Sequence, residues 1–146
     1  MKDMNYYETF ITVAADCPLF HGEVPIARKS GTTKPLLEYE LLSKQPYTFT
    51  QEDLLFEVHI RHKAIPSAEL EENERRIRDA FFEKPQPCLR ASMLPKKYGW
   101  GIHFNEHGKI ALYGAETAEY KEFIRNSDGE LKILPAMRNS REKNKM

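Results

Sequence analysis

Asn105-Glu106-His107-Gly108 constrains this chain more than any other four residues. Asn at the first position and Gly at the fourth is the pattern of a type I turn followed by a left-handed bulge residue, which closes a β-hairpin and sets its register. Asn105 then faces Lys109, and counting outwards sets Phe104 against Ile110, Ile102 against Leu112 and Gly101 against Tyr113. Because side chains alternate across a strand, one face collects Tyr98, Trp100, Ile102, Phe104, Ile110 and Leu112 and is wholly apolar. The other carries Gly99, Gly101, His103, Ala111 and Tyr113, an open floor on which a helix, a ligand or a covering aromatic can approach the backbone.

With 146 residues, the chain is long enough for one core that buries roughly 68 to 70% of its unfolded surface, and too short for two ordinary domains. We expect one α+β domain over residues 1–137, a small antiparallel sheet including the 98–113 hairpin packed on three or four helices, and a flexible charged tail over 138–146. Lys and Arg number 22, Asp and Glu 22, so no general attraction to nucleic acid or to an anionic membrane follows from charge. No run of about 18 apolar residues exists to span a bilayer. The first residues lack the apolar stretch of a secretory signal, which makes the cytoplasm the expected location. Cys17 and Cys88 are read there as thiols before a disulfide.

Residues 5–14 are rich in aromatic and β-branched residues and alternate loosely, with Tyr7, Thr9, Ile11 and Val13 on one side, which predicts a strand ending at Asp16-Cys17-Pro18. From there to Lys34 no period is visible, and a connection of that length is usually functional or disordered. Thr33 and Pro35 open a helix whose stripe is Leu37, Leu41 and Leu42. Between Thr50 and Lys63 the pattern fits both periods, but Thr50 before Gln51-Glu52-Asp53 is a good N-cap and decides for helix. A further helix runs from Ser67 to Glu83, burying Leu70, Ile77, Ala80 and Phe81. Thr117 caps another to Arg125, burying Tyr120, Phe123 and Ile124. A turn at Asn126-Ser127-Asp128-Gly129 then leads into a last strand at 131–134.

Several residues could carry chemistry. Cys88 stands two residues from Arg90, and a cationic neighbour favours the nucleophilic thiolate; on the plainer reading it is a small buried hydrophobe. His103 projects onto the open hairpin face and could serve Cys88 as a base. Cys17 follows Asp16, whose charge disfavours a thiolate. His59 and His62, at i and i+3, are spaced to share a metal, yet no third ligand stands at a recognisable spacing, so neither metal nor cofactor is expected. Lys96 to Phe104 resembles an RNA-recognition strand, except that Gly101 is inserted and Tyr98 and Trp100 share the apolar face, which is more simply core. The basic loop from Arg28 to Lys34 is not a phosphate-binding loop and is read as solvated.

Five segments together carry a family resemblance: Asp16-Cys17-Pro18; Pro46-Tyr47 with Thr50-Gln51-Glu52-Asp53; Gln86 to Ser92; Tyr98 to His103; and Ala136-Met137-Arg138. The chain resembles, from Tyr6 to Arg138, a family of bacterial proteins of about this size catalogued only as a domain of unknown function. The resemblance implies no activity, substrate or cofactor. Read from the residues, the leading expectation is a stand-alone domain that binds a small molecule or a protein partner over the hairpin face through Gly99, Gly101, Tyr113 and Cys17. The alternative is an enzyme with Cys88 as nucleophile, His103 as base and Arg90 holding an anionic substrate. A weaker one is a nucleic-acid accessory domain using Lys96 and Lys97, although zero net charge predicts no tight binding of nucleic acid.

Overall fold

The hairpin forms in the predicted register. In the computed structural model, which describes residues 4–27, 31–125 and 131–139, β2 (Trp100–Phe104) and β3 (Ile110–Gly114) pair antiparallel, with Phe104 opposite Ile110 and Gly101 opposite Tyr113. Asn105 Oδ1 accepts from the His107 and Lys109 amides, both at 2.9 Å, and the Gly108 amide donates to the Asn105 carbonyl at 3.0 Å. Gly108 has φ +76°, and a Cβ there would stand 3.0 Å from the Tyr7 ring. Both its backbone and its surroundings therefore select glycine.

β1 (Thr9–Thr12) joins the other edge of β2, antiparallel, placing Phe10 beside His103 and Ile11 beside Ile102. This strand is shorter than the sequence suggests because Glu8, at φ 47°, breaks the extended run before it. The last strand, β4 (Lys132–Pro135), joins the far side of β1, so that β2 sits inside a sheet of order β3-β2-β1-β4. The expectation of an antiparallel sheet needs one correction: β4 lies parallel to β1, with Phe10 facing Ile133. A parallel pair requires a long crossover, which the chain between the two strands supplies.

Three helices cover one face. α1 (Lys34–Lys44) is capped by Thr33 and buries Leu37, Leu41 and Leu42. α2 (Gln51–His62) carries a capping box, the Asp53 amide donating to Thr50 Oγ1 and the Thr50 amide to Asp53 Oδ2. α1 and α2 pack on each other, and with Leu89 and Leu94 they close over Ile11, Ile102, Phe104 and Ile110. A single 3₁₀ turn (Leu89–Ala91) leads into the short α4 (Met93–Lys97), which lies against β2; neither was predicted.

α3 (Ser67–Glu83) departs from its expected packing. Leu70, Ile77 and Phe81 are half-buried and Ala80 is exposed; α3 leans on α2 through Phe81 with His59 and Phe56 and through Arg78 with Asp53, and Gln86 Nε2 donates to the Phe81 carbonyl. α5 (Ala118–Arg125) crosses the second face of the sheet, where Tyr120 is buried and Phe123 half-buried, while Ile124 turns outwards and is 42% exposed. Residues 47–49 run along β3, the Tyr47 amide donating to the Ile110 carbonyl and the Ile110 amide to Phe49. The 126–129 turn, part of the basic loop at 28–30 and the tail at 140–146 lie outside the described residues. Asn139 is tied to Asp16 and to the Lys96 carbonyl. Among the described residues no helix is long and apolar enough to cross a membrane.

Candidate functional site

The floor of the hairpin is not open. A Cβ on Gly101 would stand 2.6 Å from both the Phe10 and Tyr120 rings, so glycine is there to admit these two aromatics. Gly99 lies directly against the His21 carbonyl, where the loop from Cys17 crosses the hairpin, held by the Glu23 amide on the Tyr98 carbonyl and by Trp100 Nε1 on the Glu23 carbonyl. His103 stacks on Phe123 at 4.3 Å, and its Nδ1 shares a 2.9 Å hydrogen bond with the Tyr47 hydroxyl, which also bonds Tyr113 at 2.8 Å. Burial holds the His103 imidazole below its ordinary pKa, so the neutral ring is favoured. Burial, then the bond to Tyr113, raises the Tyr47 phenol. This face is filled by the protein's own aromatics, each polar group answered by another.

The structure does not bring Cys88 to His103. Tyr6 donates to Cys88 Sγ at 3.5 Å and sets its ring edge against Phe104 at 5.2 Å, which places the thiol on the helix-covered face, whereas His103, next in the strand, projects to the other. Burial first, then the bond and charge of Cys88, push the Tyr6 phenol up to about 12, so it stays a donor at neutral pH. Arg90 donates through Nε to the Pro135 carbonyl at 2.7 Å, and its own carbonyl accepts from the Met137 amide. It anchors the end of β4. Cys17 Sγ bonds the Leu19 carbonyl and packs half-buried against the core.

What Cys88 does border is a cavity of about 170 Å³ between α1, α2 and the 86–93 segment. Leu55, Val58 and Phe81 give it apolar walls, and Lys34, Glu38, His59, Cys88 and Ser92 contribute its polar groups. Glu38 follows Leu37 on the buried stripe of α1 and is only 8% exposed. Ser92 caps α4, its Oγ accepting the Leu94 amide at 3.1 Å, so its one proton goes to Glu38 Oε1 at 2.6 Å. Burial pushes the Glu38 carboxyl up to about 7, against the Ser92 bond and the Lys34 charge, which both lower it. His59, its ring tilted against Phe81 at 4.4 Å, is held below its ordinary pKa by burial and then by Lys63, Lys34 and His62. Gln51, fully buried, fixes the segment that bears Cys88 and Ser92: its Oε1 accepts the Leu89 amide at 2.6 Å and its Nε2 donates to the Met4 carbonyl.

Sequence reasoning singled out Cys88 and weighed His59 only as a metal ligand; His62 beside it is exposed. Among the described residues no three His, Cys, Asp or Glu side chains are grouped to hold a metal ion. Glu38 and Ser92 were missed. One signal was available: Glu38 falls three and four residues before Leu41 and Leu42, inside the apolar stripe, where a carboxylate has no solvent to face.

A family of unknown function, DUF6157, matches residues 1–142. The chain belongs to DUF6157. The resemblance drawn from the sequence, to a family without assigned activity, therefore stands. No curated protein and no solved structure matches the chain. In this member of DUF6157, Glu38, His59 and Cys88 border one cavity.

Proposed function

We propose that this DUF6157 protein binds a small molecule in the cavity between α1, α2 and the 86–93 segment and exchanges a proton with it through Glu38. The observation that carries the reading is the Glu38 carboxyl, buried on the cavity wall with its hydrogen bond from a neutral hydroxyl. Burying a carboxyl without a paired cation costs stability, and proteins accept such costs chiefly at working sites. A carboxyl that titrates near 7 is also matched to general acid–base chemistry at neutral pH. The volume limits the ligand, since an apolar cavity of about 150 Å³ takes a benzene-sized molecule. Binding over the hairpin face is set aside because Phe10, Tyr120 and Phe123 already fill it.

The thiol-enzyme reading keeps one observation in its favour: Cys88 borders the same cavity as Glu38 and His59. The base would then be one of these two, in place of His103. The nucleic-acid reading loses its stacking platform, because Trp100 packs against the core and stands 5.4 Å from Tyr39, ring to ring.

The test is protection of Cys88. Benzene-sized fragments are screened against the full chain by NMR, and iodoacetamide labelling of both cysteines is followed by mass spectrometry. Fragments that bind should slow labelling of Cys88 and leave Cys17 unchanged, and Glu38→Gln should remove any dependence of their affinity on pH near 7. Fragments that bind without protecting Cys88 would place the site elsewhere and end the proposal.

A further inference from the structure

The cavity adjoins a second, larger groove of about 620 Å³, and Lys34, Pro35 and Met93 line both. Resting on the proposed function above, we infer that the two spaces form one site in which the outer groove reads an oxyanion, so that the ligand is a small organic carboxylate or phosphate monoester with a short apolar body.

Three kinds of observation lead there. The groove is lined by Lys34, His62 and Lys97, and no carboxylate is among the described residues that line it. In a chain whose basic and acidic residues balance at 22 each, that is a local excess of one sign. Among the described residues neither lysine stands within salt-bridge distance of a carboxylate, so neither ammonium group is held in an ion pair. The two spaces also differ in chemistry in the way a two-part ligand requires: the inner one is walled by Leu55, Val58 and Phe81, while the outer one adds the hydroxyls of Thr32 and Thr33 to its cations.

Lys34 is the link between them. It stands one helical turn before Glu38, and residues four apart on a helix share a face, with Cβ atoms about 6 Å apart. An oxyanion held by Lys34 from the groove side therefore sets the first atoms of its body beside the Glu38 carboxyl. The positive field of this region already reaches both inner titratable groups, since Lys34 acts on Glu38 and Lys34, Lys63 and His62 act on His59. Recognition would then divide between charge outside, which steers and orients, and apolar contact inside, which sets size.

The probes are 3-phenylpropionate and benzyl phosphate as oxyanions and 3-phenylpropanamide as the neutral counterpart. Each is titrated into the full chain by calorimetry at low salt, with wild type and with the Lys34→Gln, Lys97→Gln double variant. An oxyanion should bind roughly tenfold more tightly than the amide, the effect of a few partly screened charge pairs. The double variant should bring that ratio to about one, and added salt should do the same in wild type. Whichever oxyanion binds more tightly identifies the head group. Equal affinity of all three probes in wild type overturns the two-part site and leaves the inner cavity standing. Binding of none of them, in a chain whose melt is normal, overturns both.

Discussion

The two faces of the sheet accommodate polar groups in opposite ways. On the α5 face, the half-buried His103 and Tyr113 share hydrogen bonds with the exposed Tyr47, a neutral group in each case, and pack against the Phe123 ring. On the helix-covered face, Glu38 is buried with a single hydroxyl partner beside an unfilled volume. Satisfied neutral groups make a rigid core at little cost, whereas a buried carboxyl remains a standing expense unless something in its surroundings uses it. In this molecule conspicuous glycines and aromatics mark packing, and one acid in an apolar stripe marks the place to look for chemistry.

The largest expected effect tests whether the α5 face is core at all. Phe10 is fully buried between His103, Tyr120 and Phe123, so Phe10→Ala should cost about 3 to 5 kcal/mol in urea melts. A loss under about 1 kcal/mol would mean that this face is loosely filled and would reopen it to ligands.

Next comes the pH dependence from Glu38. Its folded pKa, about 7, lies above the ordinary 4.5, so the folded state holds this proton more tightly than the unfolded one. Its stabilising contribution is complete below about pH 4.5 and drains away as pH rises to 7, for a total of about 3 kcal/mol. Wild type should therefore lose stability over that interval relative to Glu38→Gln, whose amide does not titrate. Parallel stability curves for the two proteins would show that the carboxyl is solvated, and the contrast between the faces would fail.

His103→Ala should cost about 1 to 2 kcal/mol, since it removes the stack on Phe123 and leaves the Tyr47 hydroxyl one partner short. A neutral outcome would mean that the imidazole is free for a ligand, as the hairpin pattern alone suggests. The smallest effect is kinetic: Cys88, on the wall of a cavity, should alkylate several-fold faster than Cys17, whose sulfur packs against the core. Equal rates would sharpen the picture toward a closed cavity.

Much of the fold was legible because the signals were local. The Asn105–Gly108 turn and the Thr50–Asp53 capping box each close within five residues, and turn chemistry or capping chemistry alone decides them. The parallel pairing of β4, the seating of α5 on Gly101 and the half-covered state of α3 depend on partners far along the chain, which periodicity does not encode. The site divides in the same way. Cys88 and its segment stood out by composition, but Arg90 proved to hold β4, and the bond that defines the cavity joins Ser92 to Glu38 across 54 positions. Gly101 illustrates the ambiguity best: a strand glycine signals close approach, and nothing local says whether a ring of the same chain or a ligand comes near.

The pairing of residues 47–49 with Ile110 bears on how this protein behaves at high concentration. An unpaired strand edge is a template on which another chain can add and begin aggregation. At the β3 side, backbone bonds from Tyr47 and Phe49 already occupy Ile110, and Tyr47 turns away at φ 58°, in a conformation that cannot continue a strand. At the opposite side, β4 runs only from an exposed Lys132 to an exposed Pro135, a charge at one end and a residue without an amide donor at the other. A second molecule approaching either border of the sheet finds one edge partly bonded and the other too short and too poorly supplied with donors to extend.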